Sequence, residues 1–204
     1  MKRVHFFAAM LIIVVLVSSC NTANKTEKSK NSHTEQAGND TPNTKLETEQ
    51  IMEAALEGKL SIVEDALNEG FDKNTTDTNK RTLLMLAAYN GHTEIVELLI
   101  AKGADINQRD TISRTALMFA STGPFVATVQ ALLQSGAQPN LIDNQENWTA
   151  AMMAAAEGQL EVLKVLVVNG ANLKMLDVDG ESSLDFAKAN GHTEVAKYIE
   201  SQTK

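Results

Sequence analysis

Few residues in this chain of 204 have side chains that could perform chemistry. The four histidines are His5, His33, His92 and His192, and the single cysteine is Cys20. Catalytic and metal sites need such groups at fixed spacing, and neither H-E-x-x-H nor G-x-x-x-x-G-K occurs in the chain. His92 and His192 both stand in the tetrapeptide Gly-His-Thr-Glu, so we interpret them as framework residues. The sequence predicts no enzyme, no cofactor, no metal site and no small-molecule substrate.

One acidic segment, DVDGE at 177–181, faintly resembles a calcium-binding loop. Such a loop needs a carboxylate two residues before its first Asp and a Glu six residues beyond its glycine. Met175 and Phe186 occupy those two positions, and neither can bind calcium. We therefore interpret this segment as a turn.

The charge of the chain narrows the range of partners. The chain has 26 acidic and 18 basic residues, and residues 47–204 alone have 23 acidic and 12 basic, a net charge of −11. Nucleic-acid binding needs clustered Lys and Arg to neutralise phosphates, so the sequence predicts no nucleic-acid partner. The acidic balance is compatible with solubility alone, or with attraction of a basic protein partner.

The N-terminus has the pattern of an export signal. Lys2 and Arg3 are followed by an apolar run at 6–17 and then by Ser18, Ser19 and Cys20. The run is shorter than the roughly 20 residues of a membrane-spanning helix, and it fits a secretory signal peptide. The segment VSSC at 17–20 also resembles a lipobox, the bacterial motif that is cleaved just before a lipid-modified cysteine.

The lipobox resemblance implies a signal peptide at 1–19 and an acylated Cys20 that anchors the chain in a membrane. We therefore predict a lipid-anchored protein of the bacterial cell envelope. Asn21 follows the cysteine, and in a Gram-negative cell this predicts the outer membrane, facing the periplasm. Residues 20–46 contain little to bury and predict a flexible linker between the anchor and a domain at 47–204.

Two series of glycines reveal an internal repeat. Spacings of 33 or 34 residues separate Gly70, Gly103, Gly136 and Gly170, and the second series has gaps of 33, 67 and 33, at 58, 91, 158 and 191. A fixed period of this size is typical of proteins built from stacked units, each of which is too small to bury its own apolar face.

The clearest unit, at 81–113, reads RTLLMLAAYNGHTEIVELLIAKGADINQRDTIS and resembles the ankyrin repeat. Its TLLMLAA resembles the family pattern T-P-L-H-x-A-A, with Leu for Pro and Met for His. The resemblance implies an all-α solenoid of about five helix-turn-helix repeats joined by short β-turn or hairpin fingers. These repeats are numbered one to five, at about 48–80, 81–113, 114–146, 147–180 and 181–204.

The repeat pattern also predicts local structure. Thr82 and its counterparts should cap the first helix of each repeat, and Thr93 should cap a second helix. Gly103 should end that helix in a left-handed conformation. In repeat three Pro124 replaces the repeat glycine and Phe125 replaces the histidine, so we expect Phe125 to fill core space at an irregular centre.

The ankyrin resemblance implies a protein partner on a concave face formed by the finger tips and the first helices. Because Tyr, Trp and Arg dominate binding hot spots, we select Tyr89 and Trp148 as the main anchors, and we expect their joint replacement by Ala to abolish binding without loss of stability. For Trp148, packing against the adjacent turn is an equally favoured alternative. The other candidates for partner contact are Arg81, Asn90, Ile112, Arg114 and Glu157.

The sequence therefore predicts a membrane-anchored protein–protein interaction module. Similar exported ankyrin proteins include immunity lipoproteins that neutralise a toxin and accessory factors of periplasmic enzymes such as catalases. A toxin gene or a catalase gene beside this one would decide between them. Two other classes remain as alternatives. An enzyme would need clustered His and acidic residues in one pocket, which their spacing does not predict, and a structural spacer would need no apolar anchor on its concave face.

Overall fold

The computed structural model describes residues 41–204, with side chains from residue 47 onward. The predicted signal peptide, Cys20 and residues 20–40 of the predicted linker lie outside the described residues. The described part contains ten α-helices, and its only bridges between extended segments are Thr76–Thr82 and Leu176–Ser182. The helices are α1 Thr41–Glu57, α2 Leu60–Asn68, α3 Leu83–Tyr89, α4 Thr93–Ala101, α5 Ala116–Ala120, α6 Val126–Gln134, α7 Ala150–Ala156, α8 Leu160–Val168, α9 Ser183–Ala189 and α10 Thr193–Gln202.

The helices form two layers. The first helices of the repeats, α1, α3, α5, α7 and α9, pack on one another in chain order, and the second helices, α2, α4, α6, α8 and α10, do the same. Within each repeat the first helix also packs on the second. This arrangement confirms the predicted all-α solenoid of five repeats.

The first helix differs from the prediction at its start. Helix α1 begins at Thr41, so residues 41–46 are helical rather than part of a linker. Pro42 is compatible with this because the N–H groups of a helix's first turn have no partner within the helix. Further along α1, Glu49 and Glu53 are exposed while Ile51 is buried, as we expect of a terminal repeat whose outer side meets water.

Threonines begin three of the first helices, as predicted. The side-chain oxygen of Thr82 accepts a hydrogen bond from the backbone N–H of Met85 at 3.2 Å, and Thr115 and Thr149 repeat this contact. The prediction for Thr93 was wrong. Residue 92 is the cap of α4, and the Thr93 hydroxyl instead lies 2.8 Å from the hydroxyl of buried Thr128 in the next repeat.

Small and flexible side chains fill the space between the layers. Ala87 and Ala88 are fully buried, so α3 can approach its neighbours closely. Met85, Met118 and Met152, which share one position of the repeat, are also buried and therefore serve as packing residues.

Four loops connect the repeats, and we call them fingers one to four: 71–81, 104–114, 137–148 and 171–181. In finger four, Oδ1 of Asp177 accepts hydrogen bonds from the backbone N–H groups of Asp179 at 3.0 Å and Glu181 at 2.8 Å. This carboxylate therefore closes a turn, as predicted for 177–181. The equivalent carboxylates are Asp77, Asp110 and Asp143.

Candidate functional site

Three side chains of repeats two and three form a cluster on the layer of first helices. Tyr89 is the last residue of α3, and it is half-buried. Its ring meets the ring of Phe119 on α5 edge-on, with 6.0 Å between the ring centroids. The guanidinium carbon of Arg114 lies 4.5 Å from the centroid of the same Phe119 ring. We call Tyr89, Phe119 and Arg114 the aromatic–arginine cluster.

Arg114 is fixed from two sides. Its Nη2 lies 2.9 Å from Oδ2 of Asp110, and its guanidinium lies over the Phe119 ring. Arg81 of the preceding finger has the same ion pair, with 2.7 Å between its Nε and Oδ2 of Asp77. Because the acidic partner holds each guanidinium, the two arginine side chains are fixed beside the first helices, and each is 21% exposed.

Sequence reasoning selected Tyr89 and Arg114 and missed Phe119. The signal was available, since Phe119 lies 33 residues after Leu86, and Leu86 and Tyr89 are three residues apart on one face of α3. Side chains at this repeat position therefore lie beside Tyr89. The residue type alone does not distinguish Phe119, because repeats two, four and five also have a large apolar side chain at this position, in Leu86, Met153 and Phe186.

Trp148 is not an exposed anchor. Its side chain is only 5% exposed, and its ring centroid lies 4.3 Å from that of Phe186 on α9. Trp148 therefore belongs to the packing between repeats four and five. The structure therefore supports a packing role for Trp148, although the ring packs on Phe186 of the next repeat rather than on the adjacent turn, and we expect replacement of Trp148 to lower stability.

Asn90 and Ile112 also contribute to the contacts between repeats. The Asn90 side-chain amide donates to the backbone carbonyl of Leu56 at 2.7 Å, which occupies it within the stack. Ile112 is half-buried, and its carbonyl accepts a hydrogen bond from the N–H of Asn144 in the next finger at 3.0 Å. Glu157, at the end of α7, is exposed and accessible to a partner.

His92 and His192 are framework residues, as predicted. Nε2 of His92 lies 2.9 Å from the carbonyl oxygen of Leu56, and Nε2 of His192 lies 2.9 Å from that of Ala156. Each imidazole thus bonds to the end of the first helix in the preceding repeat.

Comparison with known proteins identifies the repeats. The family model described as Ankyrin repeats (3 copies) matches residues 51–143 and 123–203. These matches cover well over half of the chain. The chain belongs to the ankyrin repeat family.

Curated ankyrin relatives share part of the chain. The Notch-regulated ankyrin repeat-containing proteins of human, mouse and Xenopus tropicalis are each 34% identical to it over 59 residues. That stretch is 29% of this chain, and the chain spans about half (52%) of the length of these relatives. Ankyrin repeats are in general non-catalytic scaffolds, so this chain contains a protein–protein interaction module.

The titratable groups of the ankyrin domain have structural roles where their pKa values are shifted. Hydrogen bonds from the Ser182 hydroxyl and then from the Ser182 N–H hold the pKa of Asp185 below its ordinary value.

Within residues 41–204, no group of three or more His, Cys, Asp or Glu side chains is placed to hold a metal ion. No helix in this same range combines the length and apolar character needed to cross a membrane.

Proposed function

We propose that this chain is a lipid-anchored binding module of the bacterial cell envelope, which holds a protein partner on the face formed by α3, α5 and their fingers. The aromatic–arginine cluster is the observation that carries the proposal. Family membership makes the repeats an interaction module, and the cluster indicates where in this chain the partner would bind.

The cluster has the composition of a binding hot spot. Tyr and Arg are enriched among the residues that contribute most to protein interfaces. Tyr89 is half-buried, so part of its ring is available to a partner while Phe119 fixes its position. Arg114 is held by Asp110 and by the Phe119 ring, so little side-chain entropy remains to be lost on binding. Exposed Glu157 extends the proposed contact surface toward repeat four.

The sequence supports the membrane anchor. The apolar run at 6–17 and the VSSC at 17–20 fit lipoprotein export with acylation of Cys20. Several acyl chains on one residue bind a membrane stably, where one chain binds only marginally. Asn21 after the cysteine supports an anchor in the outer membrane, facing the periplasm, if the cell is Gram-negative.

Crosslinking in intact cells followed by pull-down of the tagged full chain tests the binding face. We expect one stoichiometric partner, and we expect Tyr89→Ala to weaken its capture by about tenfold or more. Tyr198→Ala is the matched control because Tyr198 is also half-buried but lies on α10 in the layer of second helices. Equal capture by wild type and Tyr89→Ala would place the binding face elsewhere. If no partner is enriched under several growth conditions, the spacer function is favoured.

A Cys20→Ala variant tests the anchor separately. The wild-type chain should appear in the membrane fraction, and its N-terminal peptide should have the mass of an acylated cysteine. Cys20→Ala should leave the membrane fraction because the acceptor sulfur is gone. An unmodified Cys20 in the wild-type chain would contradict the anchor and leave the binding face untouched.

A further inference from the structure

Finger four exposes two aliphatic side chains to water. Leu176 is 55% exposed and Val178 is 54% exposed. Asp177 lies between them and is buried. Because side chains alternate along an extended segment, burial of Asp177 leaves both of its neighbours on the outer side. We call Leu176 and Val178 the aliphatic pair.

The aliphatic pair is specific to finger four. The repeat period places Thr76 and Thr78 at these positions in finger one, Arg109 and Thr111 in finger two, and Ile142 and Asn144 in finger three. Fingers one to three thus have at least one polar side chain at the two positions. The fold itself therefore does not require an aliphatic pair here, since three other fingers form without one.

The backbone hydrogen bonds hold the aliphatic pair in place. The N–H of Val178 donates to the carbonyl of Glu146 in finger three at 3.0 Å. Leu176 forms an antiparallel bridge with Ser182, and the Asp177 carboxylate closes the turn between them. A partner that covers the pair therefore meets a surface that is already ordered, which reduces the entropy cost of binding.

Three acidic residues lie next to the aliphatic pair along the backbone: Asp179 and Glu181 follow Val178 in the same turn, and the carbonyl of Glu146 accepts the Val178 N–H. Glu146, Asp179 and Glu181 are all exposed, and Lys174 is the one basic residue within 171–181. Finger one and finger two differ in charge, since they expose Lys80 and Arg109. Finger four also belongs to a domain with a net charge of −11, and this charge attracts cations over a long range.

We propose that the aliphatic pair and the three neighbouring carboxylates bind a basic, extended segment of the protein partner, one that has an aliphatic side chain flanked by Lys or Arg. The aliphatic side chain covers Leu176 and Val178, and its basic neighbours approach Glu146, Asp179 and Glu181. This inference rests on the proposed binding function and adds the chemistry of the partner. The occupant is a partner protein rather than a second copy, because two domains of the same net negative charge repel each other.

A defined peptide tests the inference. The probe is a labelled peptide with alternating Lys and Val, and its binding to the purified full chain in non-ionic detergent is measured by fluorescence anisotropy. We expect binding at low salt that weakens about tenfold near 0.5 M salt, since exposed charges are screened there. Leu176→Ser and Val178→Ser should each weaken binding by about tenfold, and Glu181→Gln by a few-fold.

Val168→Ser is the matched control, since Val168 is 84% exposed but lies at the end of α8. It should bind the probe as the wild type does. Two further peptides, with Glu in place of Lys or with Ser in place of Val, should bind at least tenfold more weakly. Equal binding of either peptide would overturn the inference, and so would wild-type dimers in sedimentation that Leu176→Ser dissociates, because the pair would then bind a second copy.

The outcomes separate this inference from the proposed function. If the Lys–Val peptide fails to bind while cells still show Tyr89-dependent capture of a partner, the basic segment is wrong and the binding face survives. If the peptide binds through Leu176 while Tyr89→Ala leaves capture unchanged, the aliphatic pair is confirmed and the aromatic–arginine cluster is not the anchor.

Discussion

Two successive junctions in the stack have the same backbone arrangement but different side chains at the contact. One lies between repeats one and two, and the other lies between repeats two and three. At the first junction, the Asn90 amide and the His92 imidazole both bond to the carbonyl of Leu56. At the second, the equivalent residues are Gly123 and Phe125, which have no side-chain polar atom. The junction between repeats four and five repeats the polar solution, with Asn190 and His192 bonding to Ala156.

The two solutions share a ring that lies against a glycine of the preceding repeat. A Cβ added at Gly58 would lie 2.5 Å from the His92 ring, and one added at Gly91 would lie 2.1 Å from the Phe125 ring. Phe125 is half-buried, so it packs at the junction rather than within the core, where we had placed it. The comparison teaches that a ring can pack next to a residue without a Cβ at these junctions with or without a hydrogen bond to the preceding repeat.

The largest expected effect on stability comes from adding a side-chain atom at Gly91, where the Phe125 ring lies against the backbone. Gly91→Ala should destabilise the protein by about 2–5 kcal/mol, because it adds left-handed backbone strain to a clash with Phe125. Gly191→Ala is the matched control, since Gly191 has a φ of +77° against +70° for Gly91, but nothing lies within 4 Å of its added Cβ. It should cost only about 1–2 kcal/mol. Urea unfolding measures both, and equal losses would remove the ring contact from the comparison.

Removing the ring should have the next largest effect. Phe125→Ala should lower the free energy of unfolding by about 2–3 kcal/mol, below the value for a fully buried Phe because this ring is half-buried. The measurement is chemical denaturation followed by circular dichroism. A loss under about 1 kcal/mol would mean that the hydroxyl contact between Thr93 and Thr128 holds this junction instead.

At the junction between repeats one and two, the losses of stability on removing the two donors, Asn90 and His92, should be coupled. Asn90→Ala and His92→Ala each leave one hydrogen bond to the Leu56 carbonyl, so each should cost about 0.5–1.5 kcal/mol. The double variant should cost about 0.5–1 kcal/mol more than the sum, because the carbonyl then loses both partners. Strictly additive losses in a double-mutant cycle would show that the two donors act independently.

The smallest effect concerns the last repeat, whose first helix has a charged cap where the central repeats have a neutral one. Hydrogen bonds from Ser182 hold the pKa of Asp185 below 3.8. Because the folded-state pKa is the lower one, the stabilisation is complete above the unfolded-state pKa and is lost as pH falls through the folded-state pKa.

The melting temperature of wild type should therefore exceed that of Asp185→Asn near neutral pH, and the gap should close in acid. The expected size is below about 1 kcal/mol, since water screens this exposed carboxylate. The Thr82 cap contains no titratable group, so Thr82→Ala should lower stability equally at all pH values. A gap for Asp185→Asn that persists at low pH would assign the effect to packing.

The sequence predicted the features that depend on local geometry. The few residues around each position predict the caps at Thr82, Thr115 and Thr149 and the left-handed conformation of Gly103, whose φ is +78°. The recurrence of these local patterns gives the 33-residue period. The framework role of His92 also followed, because its tetrapeptide recurs at the same place in another repeat.

Only the tertiary structure decided which side chains are exposed. Trp148 occupies the position at the end of its finger where fingers one and two have Arg81 and Arg114, but Trp148 is buried because Phe186, 38 residues later, packs against it. Phe119 forms part of the aromatic–arginine cluster because Tyr89 and Arg114 reach it from a neighbouring helix and a finger. The repeat pattern specifies the position of each backbone segment, whereas exposure depends on the side chains of the next repeat. Those side chains vary from one repeat to another.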